Sequence, residues 1–173
     1  MANDYGKPPD EPAAAKWFRR GCDGGRVAAC GNLAFLLVRK PELSLDAGEA
    51  KRIYERACDA NDASGCLAKG YALHDGRGVE VNLPAALAAW ERACELGDGI
   101  ACGNAGTMHD AGKGTKRDRE RAFALFGRGC DVEGPDACLW RARAVRARGD
   151  ARSAAELFQK ACRLGAKPAC AEK

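Results

Sequence analysis

The chain has 173 residues, 30% of them charged and 6% aromatic, with a net charge of +4. That length holds one domain, and so mild a charge gives no overall indication of a nucleic-acid partner, although residues 139–173 carry nine Lys/Arg against three Asp/Glu. No run of eighteen apolar residues occurs, which excludes a membrane-spanning helix, and abundant alanine with few β-branched residues favours helix over strand.

Residues 1–10 are polar and carry Pro8 and Pro9; they read as a flexible lead-in without the apolar stretch of a signal peptide. The first predicted element is a helix over residues 11–23. Asp10 stands ready as its N-cap, and Ala14, Phe18 and Cys22 follow at intervals of four along one slowly drifting face, joined by Trp17. Gly25 ends that helix, because glycine tolerates the left-handed conformation at a helix C-terminus. A second helix then opens around Ala29-Cys30 and runs to Lys40-Pro41-Glu42-Leu43.

The same set recurs along the chain. Asp46, Ala50, Tyr54 and Cys58 are followed by Asn61 and Cys66; Asn82, Ala86, Trp90 and Cys94 by Gly97 and Cys102. Asp118, Ala122, Phe126 and Cys130 precede Gly134, one place late, and Cys138; Asp150, Ala154, Phe158 and Cys162 precede Gly165 and Cys170. Ile53, Leu125 and Leu157 repeat the position of Trp17. Gly-x-Gly turns at 76–78 and 112–114 close two of the second helices, and Gly149-Asp150 joins the fourth pair directly. The first cysteines of the five pairs lie 36, 36, 36 and 32 residues apart. The chain is therefore a repeat array: a helix B, four helix A/helix B pairs, and a one-turn stub around Cys170. An all-α, right-handed α/α solenoid over residues 11–173 is predicted, each unit resting on its neighbours.

The combination A-x-x-x-[LA]-G, the Gly-x-Gly loop, Ala86, Trp90 and Ala93 before a glycine resembles the Sel1-like repeat, a relative of the tetratricopeptide repeat. A Cys-x7-Cys pair in every unit is similar to the Helicobacter cysteine-rich proteins. The resemblance covers roughly residues 11–170; Lys69 and Arg141 stand where the family prefers Leu, and the Gly-x-Gly loop is lost in the first and fourth units. It implies a surface for protein–protein contact in a periplasmic or secreted protein. Mitochondrial intermembrane-space relatives, which act in respiratory-complex assembly, offer an alternative compartment, and some Helicobacter members bind penicillin-like compounds.

Three readings of the ten cysteines compete. Disulfides within the pairs Cys22/Cys30, Cys58/Cys66, Cys94/Cys102, Cys130/Cys138 and Cys162/Cys170 fit an antiparallel helix pair joined by a tight turn, and closing so short a loop would restrict the unfolded chain by about 2–3 kcal/mol each. Buried free thiols are the bland alternative. Zinc or iron–sulfur ligation fits worst, since structural zinc pairs lie about two to four residues apart and none occurs here. Disulfides imply an oxidising compartment; with no signal peptide at Met1, this is read as a mature or trimmed form.

No catalytic motif emerges. The serines are Ser44, Ser64 and Ser153, none opening Ser-x-x-Lys, and there is no Gly-x-Ser-x-Gly, His-Glu-x-x-His or P-loop. His109 takes a position filled by Leu37, Leu73 and Val145 in other units and reads as packing. No enzyme activity, cofactor or metal is expected, and the chain is read as a monomer. Carried over from tetratricopeptide-like stacks, the concave face would be lined by helix A. One row is Phe35, Tyr71, Thr107 and Arg143; a second is Val38, His74, Asp110 and Arg146; a third is Gly31, Leu67, Gly103 and Leu139. The lining grades from aromatic to basic and suits a peptide or protein segment with an apolar and an acidic end, with Trp140 set aside as packing. The competing reading is a binder or weak hydrolase of a β-lactam or peptidoglycan fragment.

Overall fold

The computed structural model describes residues 10–46 and 48–172. Among them lie nine α-helices and no strand: α1 (Glu11–Asp23), α2 (Val27–Arg39), α3 (Glu49–Asp59), α4 (Ala63–Asp75), α5 (Leu83–Glu95), α6 (Gly99–Ala111), α7 (Arg119–Asp131), α8 (Pro135–Ala147) and α9 (Ala151–Arg163). Short 3-10 turns occur at Pro41–Leu43 and Lys167–Ala171, the latter being the stub. Odd-numbered helices are the B helices of the repeat and even-numbered ones the A helices. Apart from Asp10, the lead-in falls outside the described residues.

The caps explain where helices begin. Asp10, Asn82, Asp118 and Asp150 accept hydrogen bonds from the N–H groups of Ala13, Ala85, Arg121 and Ser153 at 2.8–3.0 Å, each satisfying a donor the helix leaves unpaired. Asp46 does not cap α3. Its carboxylate accepts from the Gly48 N–H at 2.8 Å and pairs with Arg52 at 2.7 Å, so α3 starts only at Glu49. The turn there is shaped instead by Glu49, only 6% exposed, which accepts from Arg19 of α1 and from the Leu45 N–H, both at 2.6 Å. Two A helices carry caps of their own, Asp62 to the Gly65 N–H and Asp98 to that of Ala101.

Four of the five B helices end as expected, with Gly25, Asn61, Gly97 and Gly165 at φ between 62° and 103°. The fourth unit differs. Glu133 takes the left-handed conformation (φ 61°), while Gly134 has φ −68° and is the N-cap of α8. Space is the reason: a Cβ on Gly134 would stand 2.7 Å from the Gly99 carbonyl oxygen and 2.8 Å from that of Gly129. Glycine is needed there for close approach, and the left-handed turn falls to a glutamate.

Each unit locks onto the next by setting the aromatic of a B helix against a small residue of the preceding A helix. Trp90 packs on Gly70 so closely that a Cβ there would lie 2.2 Å from the indole nitrogen. Tyr54 meets the Ala34 cluster and Phe158 the Ala142 cluster in the same way. Ile53, Leu125 and Leu157 pack with residues of the preceding A helix. Trp17 does not: it is 70% exposed, since among the described residues no helix A precedes α1.

Five disulfides join each B helix to the following A helix, Cys22–Cys30, Cys58–Cys66, Cys94–Cys102, Cys130–Cys138 and Cys162–Cys170, with Cα–Cα distances of 4.4–4.9 Å. No cysteine is free. A further device is the basic residue two places before each first cysteine. Arg56 donates to the Cys22 carbonyl, Arg128 to that of Glu95 at 3.1 Å and Lys160 to that of Cys130 at 2.7 Å, so a cation from one unit meets the C-terminal end of the previous B helix. Helix α2 packs on α4 and α6 on α8, whereas α5 and α7 scarcely touch.

Candidate functional site

The three expected rows lie on the A helices, and the structure sorts them by burial. Gly31, Leu67, Gly103 and Leu139 are buried in every unit, so this row is core; Leu139, 4% exposed, packs against Phe158 and Ala142 and is not available to a partner. Val38 is buried as well. Phe35, Tyr71, Thr107 and Arg143 are half-buried, His74 likewise, and Asp110 and Arg146 are exposed.

At the N-terminal end the aromatic residues form a connected group. Tyr71 meets Phe35 at 6.4 Å and stands edge-on to Trp90 at 5.4 Å, and the His74 ring lies 5.2 Å from the same indole. His74 Nδ1 sits 2.6 Å from Asp75, which also pairs with Arg77. Burial pushes the Asp75 carboxyl up, but hydrogen bonds from His74 and Arg77 outweigh it and hold the group below its usual range. Thr107 turns its hydroxyl back onto the Asn104 carbonyl at 2.8 Å. It offers a partner little.

Further along, a cavity of about 500 Å³ opens between α6, α7 and α8, bordered by Asp110, Arg119, Phe126, Trp140 and Arg143. Trp140 is 37% exposed, stacks on Phe126 with an interplanar angle of 24°, and carries the Arg143 guanidinium 4.8 Å from its ring centroid. Sequence reasoning set it aside as packing; only the gap between neighbouring A helices exposes it. Asp110 faces Arg117 and Arg119 at 3.8 and 3.7 Å.

The basic end is already engaged. Glu172, just past the stub, accepts from Arg143 Nε at 2.7 Å and from Arg146 at 2.6 Å. Hydrogen bonding from Arg143 is the chief cause that holds the Glu172 carboxyl below its ordinary range, with Arg146 adding to it. His109 lies away from this face, its Nε2 3.0 Å from Glu91, whose carboxylate also meets Arg121. Among the described residues no cluster of His, Cys, Asp or Glu is arranged to hold a metal, and no helix is long and apolar enough to cross a membrane.

The model of the Sel1 repeat matches residues 1–25, 28–62, 64–98, 99–131 and 142–165, and the second, third and fourth of these matches each take in one A/B pair described above. This chain belongs to the Sel1 repeat family. Among solved structures it is similar to a Sel1 repeat protein from Oxalobacter formigenes, with 27% identity and a TM-score of 0.77 over 90% of this chain and 65% of that one. Helicobacter pylori cysteine rich protein B is 25% identical, with a TM-score of 0.60 over 75% of this chain and 92% of its own length. The fold is also shared with c5321, described as a protective antigen present in uropathogenic Escherichia coli, at 22% identity and a TM-score of 0.77, covering 96% of this chain. The chain spans 65% and 37% of the Oxalobacter and Escherichia structures. No curated protein matches it. Sel1 repeats are scaffolds typical of protein–protein interaction, and five disulfides mark this one.

Proposed function

We propose that this Sel1 repeat chain is a non-catalytic scaffold, periplasmic or secreted, that holds a protein segment along its inner face. The segment's apolar part lies against Phe35, Tyr71 and His74, its middle crosses Thr107, Asp110 and Trp140, and an acidic side chain reaches Arg143 and Arg146. The observation that carries this reading is Glu172: a carboxylate seated between two guanidiniums is what an acidic partner would present there. Five disulfides support the oxidising setting, because such bonds persist outside reducing compartments.

The test is capture of candidate segments by the purified chain. Tyr71→Ala with Arg143→Ala should weaken capture, and Glu172→Ala should strengthen it by removing the internal competitor. Unchanged capture in the double variant would exclude this face. Thermal stabilisation by β-lactams or muropeptides, but not by peptides, would favour the small-ligand reading instead.

A further inference from the structure

A second cleft borders α8, separate from the cavity beside Trp140 but sharing Phe123 and Arg148 with it. Arg141, Val145 and Arg148 follow at i, i+4 and i+7 and line this second cleft. In the first and third units the matching contact between B and A helices is core: Ala15 with Leu33, and Leu87 with Ala105, all 7% exposed or less. In the fourth unit those positions hold Phe123 and Arg141, and a cleft of about 780 Å³ opens between α7, α8 and α9. Gly127 contributes to the opening. The same column holds Arg19, Glu55, Glu91 and Gln159 elsewhere, and a Cβ at 127 would lie 3.2 Å from the Arg141 guanidinium.

Two cations share one ring in this cleft. Arg141 sits 3.3 Å and Arg148 3.7 Å from the Phe123 centroid, and Arg141 is anchored by donating to the Phe123 carbonyl at 2.6 Å. Lys160 and Arg163 of α9 line the same space. Asp131, Asp150 and Glu156 also border it, but among the described residues no carboxylate comes within 4.0 Å of Arg141, Lys160 or Arg163. Asp150 is engaged in capping α9, and Glu156 faces Arg152. Burial, and then repulsion from Arg148, hold the Arg141 guanidinium below its usual value. Arg148 pairs with Glu120 at 2.7 Å, so Arg141, Lys160 and Arg163 are the cations here that no described carboxylate meets within 4.0 Å.

We propose that this cleft binds a phosphate monoester, its phosphate met by Arg141 and Arg148 with Lys160 and Arg163 at the rim, and its apolar group against Val145 and Leu157. A carboxylate offers two oxygens, which at Glu172 are already taken up by two guanidiniums. A phosphate dianion offers three, enough to meet donors arriving from two helices.

The test titrates the oxidised chain with phenyl phosphate at constant ionic strength, following the Arg141 Nε–Hε resonance by NMR, with benzoate as the carboxylate control. Saturable movement with phenyl phosphate, and roughly tenfold weaker response to benzoate, is expected. Arg141→Leu, which restores the residue found at Leu33, should fold and lose phenyl phosphate binding by roughly tenfold or more. Arg146→Ala, outside this cleft, should keep it. Absence of a saturable shift, equal binding of benzoate, or unchanged phenyl phosphate affinity in Arg141→Leu by calorimetry would overturn the assignment.

Discussion

Single residues that look equivalent in the repeat pattern have unequal energetic weight. Trp17 and Trp90 both belong to the apolar stripe of a B helix, at adjacent positions of the repeat, yet one is 70% and the other 3% exposed. Trp90→Ala should cost about 3–5 kcal/mol, whereas Trp17→Ala should stay within about 0.5 kcal/mol of the parent; urea denaturation of the two variants compares them directly. Glu133 and Gly134 form a similar contrast. A glutamate in the left-handed region is strained by about 1–2 kcal/mol, so Glu133→Gly should raise stability by about 1 kcal/mol. Gly134→Ala should lower it, since its Cβ would press on the carbonyl oxygens of Gly99 and Gly129. The sequence pattern pointed to Gly134 as the left-handed residue, because composition cannot distinguish a glycine kept for its φ from one kept for want of space.

Between elements, the joints carry most of the specificity. Replacing Cys94 and Cys102 together by Ser should cost about 2–3 kcal/mol, the loop-closure entropy returned to the unfolded chain. Under limited dithiothreitol, Cys162–Cys170 should open first, because Cys170 is exposed whereas Cys66, Cys94, Cys102 and Cys138 are buried; alkylation and mass spectrometry would read the order. Glu49 ties α1 to the start of α3. Burial alone would raise its carboxyl, but hydrogen bonds from Arg19 and the Leu45 N–H, with the Arg19 charge, bring it below the ordinary glutamate value. Its folded value is thus lower than its unfolded one. The stability it contributes is complete above about pH 4.3 and fades as pH falls through the lower folded value. Glu49→Gln should therefore be less stable at neutral pH, with the gap to the parent closing in acid, measured by denaturation across that range.

For the whole molecule, the proposed scaffold role depends on curvature. Each unit rests on its neighbours, so a bridge in the middle sets how the aromatic end faces the basic end. Removing Cys94–Cys102 should weaken capture along the groove although it touches neither end. Removing Cys162–Cys170 should do the reverse for acidic segments, by loosening the stub that presents Glu172 to Arg143 and Arg146. Affinity measurements on the two double-Ser variants with one acidic peptide would show opposite signs.

Most helix starts and ends, Asp46 and Gly134 excepted, the unit order and the cysteine pairs were legible in the sequence because each depends on local chemistry: a cap, a glycine, a spacing of four, a turn short enough to bridge. Which A-helix residues stay open at the surface was decided only by tertiary structure. Leu139 and Val38 share the helical register of the lining, yet are buried because a neighbouring helix lies over them. Trp140 is exposed because α6 and α8 leave a gap, and Glu172 reaches Arg143 only because the stub folds back beside α8. Periodicity marks the side of a helix on which a residue stands; the stacking of units decides what stands opposite.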